Sequence, residues 1–478
     1  MNNCKSSLLL MAYVFGLVVV EAQPAEKPVP RSMELTVENR LPKGRCQVVE
    51  YGKFDPKRVD EFLRDFTSPT ERWYLSLFSS LEKRTQELDN RIRSVTLSLA
   101  DKIEVFKRLS PRREATDERK ELRMERLLIS IDPKELPLFK LALEYDGDYK
   151  DLEEYIFHDI DTKEYRNRII EHFGRTPQQI GLIGIKVLSD VDDTMYANLV
   201  DSRYPKKTLY PGVLEFYDSL KHEPFELRAI PVTTLSARPN PVAGKLEEDS
   251  LKGLVEFTKE RLCPSALSGD VGSSTIGTLE TVLRNKLDDA LHDDIPAGKE
   301  DEIGEVKFRN FLNFSQVYPE YRYVFVGDSG QADALTAQRM VAKGSTGGAT
   351  RVVTTFIHDL TRASPSFRKL PSELVVKKTS ASGRGVIVFR NYIDAAVVAH
   401  MHSQTLENLI TAEELAGITK AALTQFKAIK FPADEPTVKR LREEYRQDAE
   451  EAYKLLTTGS RKPSPDVTAI RRILDQGL

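Results

Sequence analysis

Cysteine is scarce in this chain: three in 478 residues, Cys4, Cys46 and Cys263. Three are too few for a disulfide scaffold, and no C-x-x-C pair points to a zinc site. Histidine is scarce as well, and the seven residues show no ligand spacing; His400 and His402 are expected to sit solvated at a helix end. An excess of one charge is missing too. Lys plus Arg number 70 against 73 for Asp plus Glu, a net charge of -3, which argues against nucleic-acid binding by bulk charge and leaves only a local basic patch. Gly and Pro, 25 each, stay near average, so the chain is neither collagen-like nor mainly low-complexity. With 40% hydrophobic and 30% charged residues it has the ordinary balance of a globular protein of two or three packed units.

A long apolar run is also absent. The longest, Leu8 to Val20, is too short to span a bilayer comfortably but fits the core of a secretory signal. Lys5 precedes it and Ala22 follows, so residues 1–22 are read as a signal peptide and the mature chain is expected in the secretory pathway or outside the cell. An uncleaved anchor, or a start codon set too early, are the other readings; the second returns the protein to the cytoplasm. Cys46 and Cys263 would then remain, either paired in an oxidising lumen or as two free thiols. The sequon Asn313-Phe314-Ser315 falls in a helical stretch and is read as unused.

Residues 23–56, Pro-rich at their start, are expected to be an irregular segment. A helical module is expected over 57–177: Val59, Phe62, Leu63 and Phe66 repeat at helical spacing, as do Ile92, Val95, Leu99 and Phe106. The charged stretch from Arg108 to Arg126 reads as a solvated helix or linker. Over 178–400 the pattern changes. Apolar runs at Leu182–Leu188, Leu227–Leu235, Tyr323–Val326, Val352–Ile357 and Val386–Phe389 alternate with helical segments such as Val213–Leu220, Leu251–Arg261 and Ala332–Val341. That alternation predicts an α/β domain with a Rossmann-like parallel sheet. Residues 401–478 are expected to be C-terminal helices, broken by Pro432, Pro436 and Pro463.

The first run ends in Ser189-Asp190-Val191-Asp192-Asp193-Thr194. Three carboxylates in four positions at the carboxyl end of a buried strand repel one another unless a cation or backbone donors offset them. In open parallel sheets ligands bind at that end, and an oxygen-only set suits a hard cation such as Mg2+. A surface acidic turn is the bland reading. The run Tyr323–Val326 leads in the same way into Gly327-Asp328-Ser329-Gly330-Gln331-Ala332-Asp333, and two acidic strand ends in one sheet are hard to dismiss.

Together D-V-D-D-T and G-D-S-G-Q-A-D resemble the haloacid dehalogenase superfamily of phosphohydrolases. S-D-V-D-D-T with L-S-A-R-P and V-G-D-S-G-Q-A-D is similar to the actin-patch-protein type of phosphatidate phosphatase, related to lipins. The likeness covers about 178–400 and extends to T-L-Y-P-G-V-L-E-F-Y, T-F-I-H-D-L and N-Y-I-D-A-A. It implies Asp190 as nucleophile and Asp192 as general acid and base, with Thr194 fixing the loop. Ser236 would hold the phosphoryl oxygens, with Thr234 as a rival. Lys307 would neutralise charge, with Lys286 as the alternative. Mg2+ would sit on Asp190, the Asp192 carbonyl and Asp328, with Asp333 in support, while Asp193 is an extra carboxylate without a clear part. Arg238 would meet a second phosphate or a head group, unless it makes an ordinary ion pair. The implied substrate is a phospholipid such as phosphatidic acid or another phosphomonoester. The basic segment Arg368–Arg384, with Lys369, Lys377 and Lys378, is a candidate for peripheral membrane contact. A non-catalytic lipid-binding module, or an interaction protein built on the helical regions, are the readings from other classes.

Overall fold

A computed structural model describes residues 52–67, 81–109, 117–144, 152–198, 200–220, 229–235, 253–259, 261–267, 299–330, 332–343, 345–346, 349–361, 375–377, 380, 384–431, 435–458 and 463–478. The signal-like run, the Pro-rich segment up to residue 51 and Trp73 fall outside them.

The helical spacing over 57–177 becomes α1 (Pro56–Thr67), α2 (Leu81–Ser94), α3 (Leu99–Leu109), α4 (Glu118–Ile129) and α5 (Leu136–Glu144). A short α6 (Leu152–Glu154) runs into a π-helical turn over Tyr155–Asp159, and α7 (Lys163–Gly174) and α8 (Thr176–Ile180) follow. The charged stretch before Arg126 is helical over Glu118–Arg126 as one reading had it, but it is not solvated throughout. Asp117 caps α4 by accepting from the Lys120 N–H at 2.8 Å. Two acids of α4 are buried rather than solvated, because α7 uses them. Glu121 accepts from the backbone N–H groups of Asp161 and Thr162, each at 3.0 Å, and so caps the start of α7. Glu125 takes the Arg168 guanidinium at 2.7 Å.

The sheet comprises β1 (Gly184–Ser189), β2 (Ile230–Leu235), β3 (Leu262–Leu267), β4 (Tyr321–Asp328), β5 (Val352–His358) and β6 (Val386–Phe389). All neighbours are parallel, in the spatial order β6-β5-β4-β1-β2-β3. This is a doubly wound order that reverses between β1 and β4, where open α/β sheets form their ligand crevice. Helices α9 (Val213–Leu220), α10 (Lys299–Val317), α11 (Asp333–Lys343) and α12 (Tyr392–Met401) accompany it, and α13 (Ala412–Ala428), α14 (Glu435–Thr457) and α15 (Pro465–Asp475) follow. Among the described residues no helix is long and apolar enough to cross a membrane.

Period-two alternation splits the strands between two cores. Tyr321, Tyr323 and Phe325 of β4, with Leu188 of β1, join α10, α11 and the N-terminal helices. Val324 and Val326, with Ile185 and Val187, face α9 and α12–α15. The helices on either side of the sheet in sequence are therefore packed on its two faces. Gly212 shows how closely: with φ at +86° it starts α9, and a Cβ there would stand 2.8 Å from the Ala422 Cβ of α13.

Two local expectations are corrected. Strand β3 lies where no strand was read. His402 is buried, with Nε2 3.0 Å from the Lys377 carbonyl, and His400 Nδ1 lies 2.9 Å from the Ile410 carbonyl, since the segment ahead of β6 meets the first ring and the turns after α12 reach back to the second. Cys263 of β3 is buried and disulfide-bonded, one of the two states that the sequence leaves open. Cys4 and Cys46 lie outside the described residues.

Candidate active site

Strands β1 and β4 lie side by side, in register from Gly184 opposite Tyr321 to Ser189 opposite Val326. Their carboxyl ends therefore deliver Asp190 and Asp328 to the same point of the switch. The Asp190 N–H donates to the Val326 carbonyl at 2.9 Å, which continues the ladder one residue past β1. Helix α10 inserts Lys307 from the side, and α11 starts at Asp333. Lys307 Nζ donates to Asp190 Oδ1 at 3.0 Å and to Asp333 Oδ1 at 2.5 Å. Asp333 Oδ2 accepts from the Asp328 N–H at 3.4 Å, and Asp328 Oδ1 accepts from the Gly330 N–H at 2.6 Å.

Oxygens of Asp190, Asp328 and Asp333 all lie within 4.8 Å of one another. Asp190 Oδ2 and Asp328 Oδ2 are buried without a hydrogen-bond partner. Burial followed by Asp333 and Asp190 pushes the Asp328 carboxyl well above the ordinary range. Burial likewise raises Asp333 to about 7 despite Lys307 beside it. Burial pulls the Lys307 ammonium down, but Asp190 and Asp333 outweigh it and hold Lys307 above the ordinary lysine value. Three carboxylates facing one ammonium, with two orphaned oxygens, form a donor set that fits a hard divalent cation.

Gly327 makes room for this set. A Cβ at that position would lie 2.8 Å from both the Cβ and Oδ2 of Asp333. Gly327→Ala is expected to displace Asp333 and with it Lys307. The predicted loss is about 1–3 kcal/mol, typical of overpacking, and the thermal shift on adding Mg2+ or Mn2+ is expected to be smaller than the one expected of the wild type. Melting curves with and without the ion check both.

The remaining motif residues hold the loop. The Asp192 carboxylate is outside the three-carboxylate cluster, and its Oδ1 accepts from Asn198 Nδ2 at 2.9 Å. Asp193 adopts φ +54° and accepts from the N–H groups of Asn198 (2.9 Å), Val200 (2.7 Å) and Asp201 (3.3 Å). Burial raises its carboxyl, and those backbone donors offset part of the rise. It therefore ties the loop to an antiparallel hairpin of Tyr196–Ala197 with Thr208–Leu209. Thr194 is buried, and its carbonyl accepts from the Tyr392 hydroxyl at 2.6 Å. Thr234, at the end of β2, donates to the Ser265 carbonyl at 2.9 Å. Ser236, Arg238, Lys286, Lys369 and Lys378 lie outside the described residues.

Sequence reasoning gave no role to Asn198, His358 or Tyr392. His358 Nδ1 lies 2.9 Å from the Asp193 carbonyl, with its ring against Tyr210. Burial lowers its basicity, and Arg203 adds to the effect. The signal was present, since His358 and Tyr392 lie within T-F-I-H-D-L and N-Y-I-D-A-A, but a supporting residue has no chemical signature of its own.

No family model, curated protein or solved structure matches this chain.

Proposed function

We propose that the chain is a Mg2+-dependent phosphomonoesterase of the haloacid dehalogenase type, acting on a lipid phosphate such as phosphatidic acid. The observation that carries the reading is Lys307 bridging Asp190 and Asp333 beside two orphaned carboxylate oxygens at the switch of a doubly wound sheet. Asp190 attacks phosphorus and forms an aspartyl-phosphate as the bond to the ester oxygen breaks. Asp192 protonates that leaving oxygen, then takes a proton from the water that attacks the same phosphorus and restores Asp190. Asn198 fixes the orientation of the Asp192 carboxyl. Lys307 balances charge on Asp190 and the phosphoryl oxygens. Asp190, Asp328 and Asp333 would hold Mg2+, which supplies further charge neutralisation when bound.

The lipid preference is supported by the likeness of S-D-V-D-D-T and V-G-D-S-G-Q-A-D to phosphatidate phosphatases. A setting in the secretory pathway is supported by the bonded state of Cys263, since disulfides persist in oxidising compartments.

The test is phosphate release from phosphatidic acid in mixed micelles, with and without Mg2+, by wild type and Asp190→Asn, with soluble esters alongside. The expected result is Mg2+-dependent release from the lipid, reduced by at least about 1,000-fold in the variant, the order seen when a covalent nucleophile is lost. Release from soluble esters alone would keep the chemistry and remove the lipid. No release from any ester by the folded, Mg2+-loaded chain would leave a phosphate-binding module.

A further inference from the structure

Glu153, Glu154 and His158 precede every motif of the sheet; Glu154 and His158 stand at i, i+4, but Glu153, five residues before His158, falls outside that spacing. The π-helical turn over Tyr155–Asp159 changes that. Its wider winding, marked by the Ile160 N–H donating to the Tyr155 carbonyl at 3.1 Å, begins directly after Glu153 and Glu154 and carries His158. Such turns are uncommon and often mark functional positions. One ligand atom from each of the three residues lies within 4.8 Å of the other two. Glu153 is 1% exposed, and its Oε1 is buried with no hydrogen-bond partner, although Asn313 of α10 bonds the carboxyl group. Two carboxylates held so close repel, and a buried oxygen without a donor leaves its lost hydration unreplaced. A cation relieves both at once.

We propose that Glu153, Glu154 and His158 form a second metal site, distinct from the carboxylates at the sheet switch, that takes Zn2+. Two carboxylates would suit a hard ion, but the imidazole shifts the set toward a borderline transition metal. Zinc bonds of about 2.1 Å place tetrahedral ligands about 3.4 Å apart, so the side chains close by about 1.4 Å at most. Burial decreases from Glu153 through Glu154 to His158, which leaves the third ligand at the surface and an entry path for the ion. Through Asn313 the ion fastens the π turn to α10, the helix that carries Lys307 six residues earlier. The site is a structural pin between the N-terminal helices and the sheet.

The test uses the full chain without tag histidines, stripped with a chelator and dialysed against Zn2+ in excess Mg2+. Bound zinc is read by mass spectrometry and stability by thermal unfolding. The wild type and Asp328→Asn are expected to retain one zinc that His158→Ala and Glu153→Gln lose, with affinity down by more than about tenfold. Zinc is expected to raise the melting temperature of the first pair only. His158 is exposed, so its replacement leaves the fold intact. Equal zinc in the wild type and His158→Ala would overturn the proposal. So would zinc lost with Asp328→Asn but kept in His158→Ala.

Discussion

Replacing Lys307 with methionine is expected to destabilise the metal-free chain by about 3–5 kcal/mol at neutral pH, the range for breaking a buried ion pair. Most of that deficit is expected to disappear in acid. Lys307 is buried and donates to both Asp190 and Asp333. Without it, among the described residues, the three carboxylates keep only the backbone donors to Asp328 and Asp333 and each other. The pH dependence follows from the direction of the shifts. Burial already raises Asp328 well above the ordinary range and Asp333 to about 7. Between an unfolded value of about 3.9 and these raised values, the folded chain binds more protons than the unfolded chain, so stability falls as pH rises. The stabilising contribution of these two acids is complete below about pH 4; that of Asp333 is lost on the way up through about pH 7, and that of Asp328 as pH rises through its own raised value. Lys307 lowers both carboxyls, so its removal extends the window upward and steepens the loss. Mg2+ should act in the opposite sense, restoring neutral-pH stability in the wild type by occupying the same oxygens. Urea unfolding at pH 5 and pH 8 decides the matter: an equal deficit at both would reduce Lys307 to packing. On the proposed reaction, kcat should also fall by at least about 100-fold, as when a charge-stabilising donor is removed.

Much of this site could be read from the sequence because buried acids at strand ends are chemically conspicuous. Asp190 and Asp328 each stand at the carboxyl end of a mainly apolar, buried strand, and the structure brings both to one crevice. Lys307 is less legible, since a lysine in a helix is usually solvated; its position on α10 distinguishes it from Lys286. Five of the six strands were visible as apolar runs. Strand β3 was not, because Leu-Cys-Pro-Ser-Ala-Leu carries a proline and two small residues, which an edge strand tolerates and a central strand does not. The same limit applies to charge patterns. Glu121 and Glu125 look like any solvated acids until α7 is placed beside them, and no local pattern says which charges a neighbour will use. Residues five apart, as in Glu153 and His158, fall outside both the helical and the strand period.

Removing the Glu144 carboxylate is the other large effect expected, and it arises from charges that the sequence places in a helix end and a strand. Glu144 closes α5 and Lys186 sits in β1; they meet at 2.7 Å with both side chains essentially inaccessible. The other Glu144 oxygen accepts from the Thr233 hydroxyl at 2.8 Å and the Ser265 hydroxyl at 3.4 Å. The Lys186 ammonium lies 4.7 Å from the ring centres of both Tyr318 and Tyr321. A second buried pair completes the layer, with Lys140 donating to Glu320 at 2.7 Å and to the Val317 carbonyl at 2.9 Å. Burial lowers the Lys140 ammonium, and Glu320 limits the fall. These pairs join α5 to the sheet and to the end of α10 in a medium where a lone charge is very costly. Glu144→Leu is therefore expected to lose about 3–5 kcal/mol, since Lys186 stays behind uncompensated. Adding Lys186→Met should recover most of that loss, because two apolar side chains can replace a buried pair with little penalty. A double-mutant cycle in urea measures the coupling. Additive losses would mean that the two residues act separately, whereas a double variant near wild-type stability would locate the deficit in the stranded charge. The helical segment would then be held to the sheet by matched polarity as well as by apolar packing, so it should undock with the sheet in a single transition when one charge is left alone.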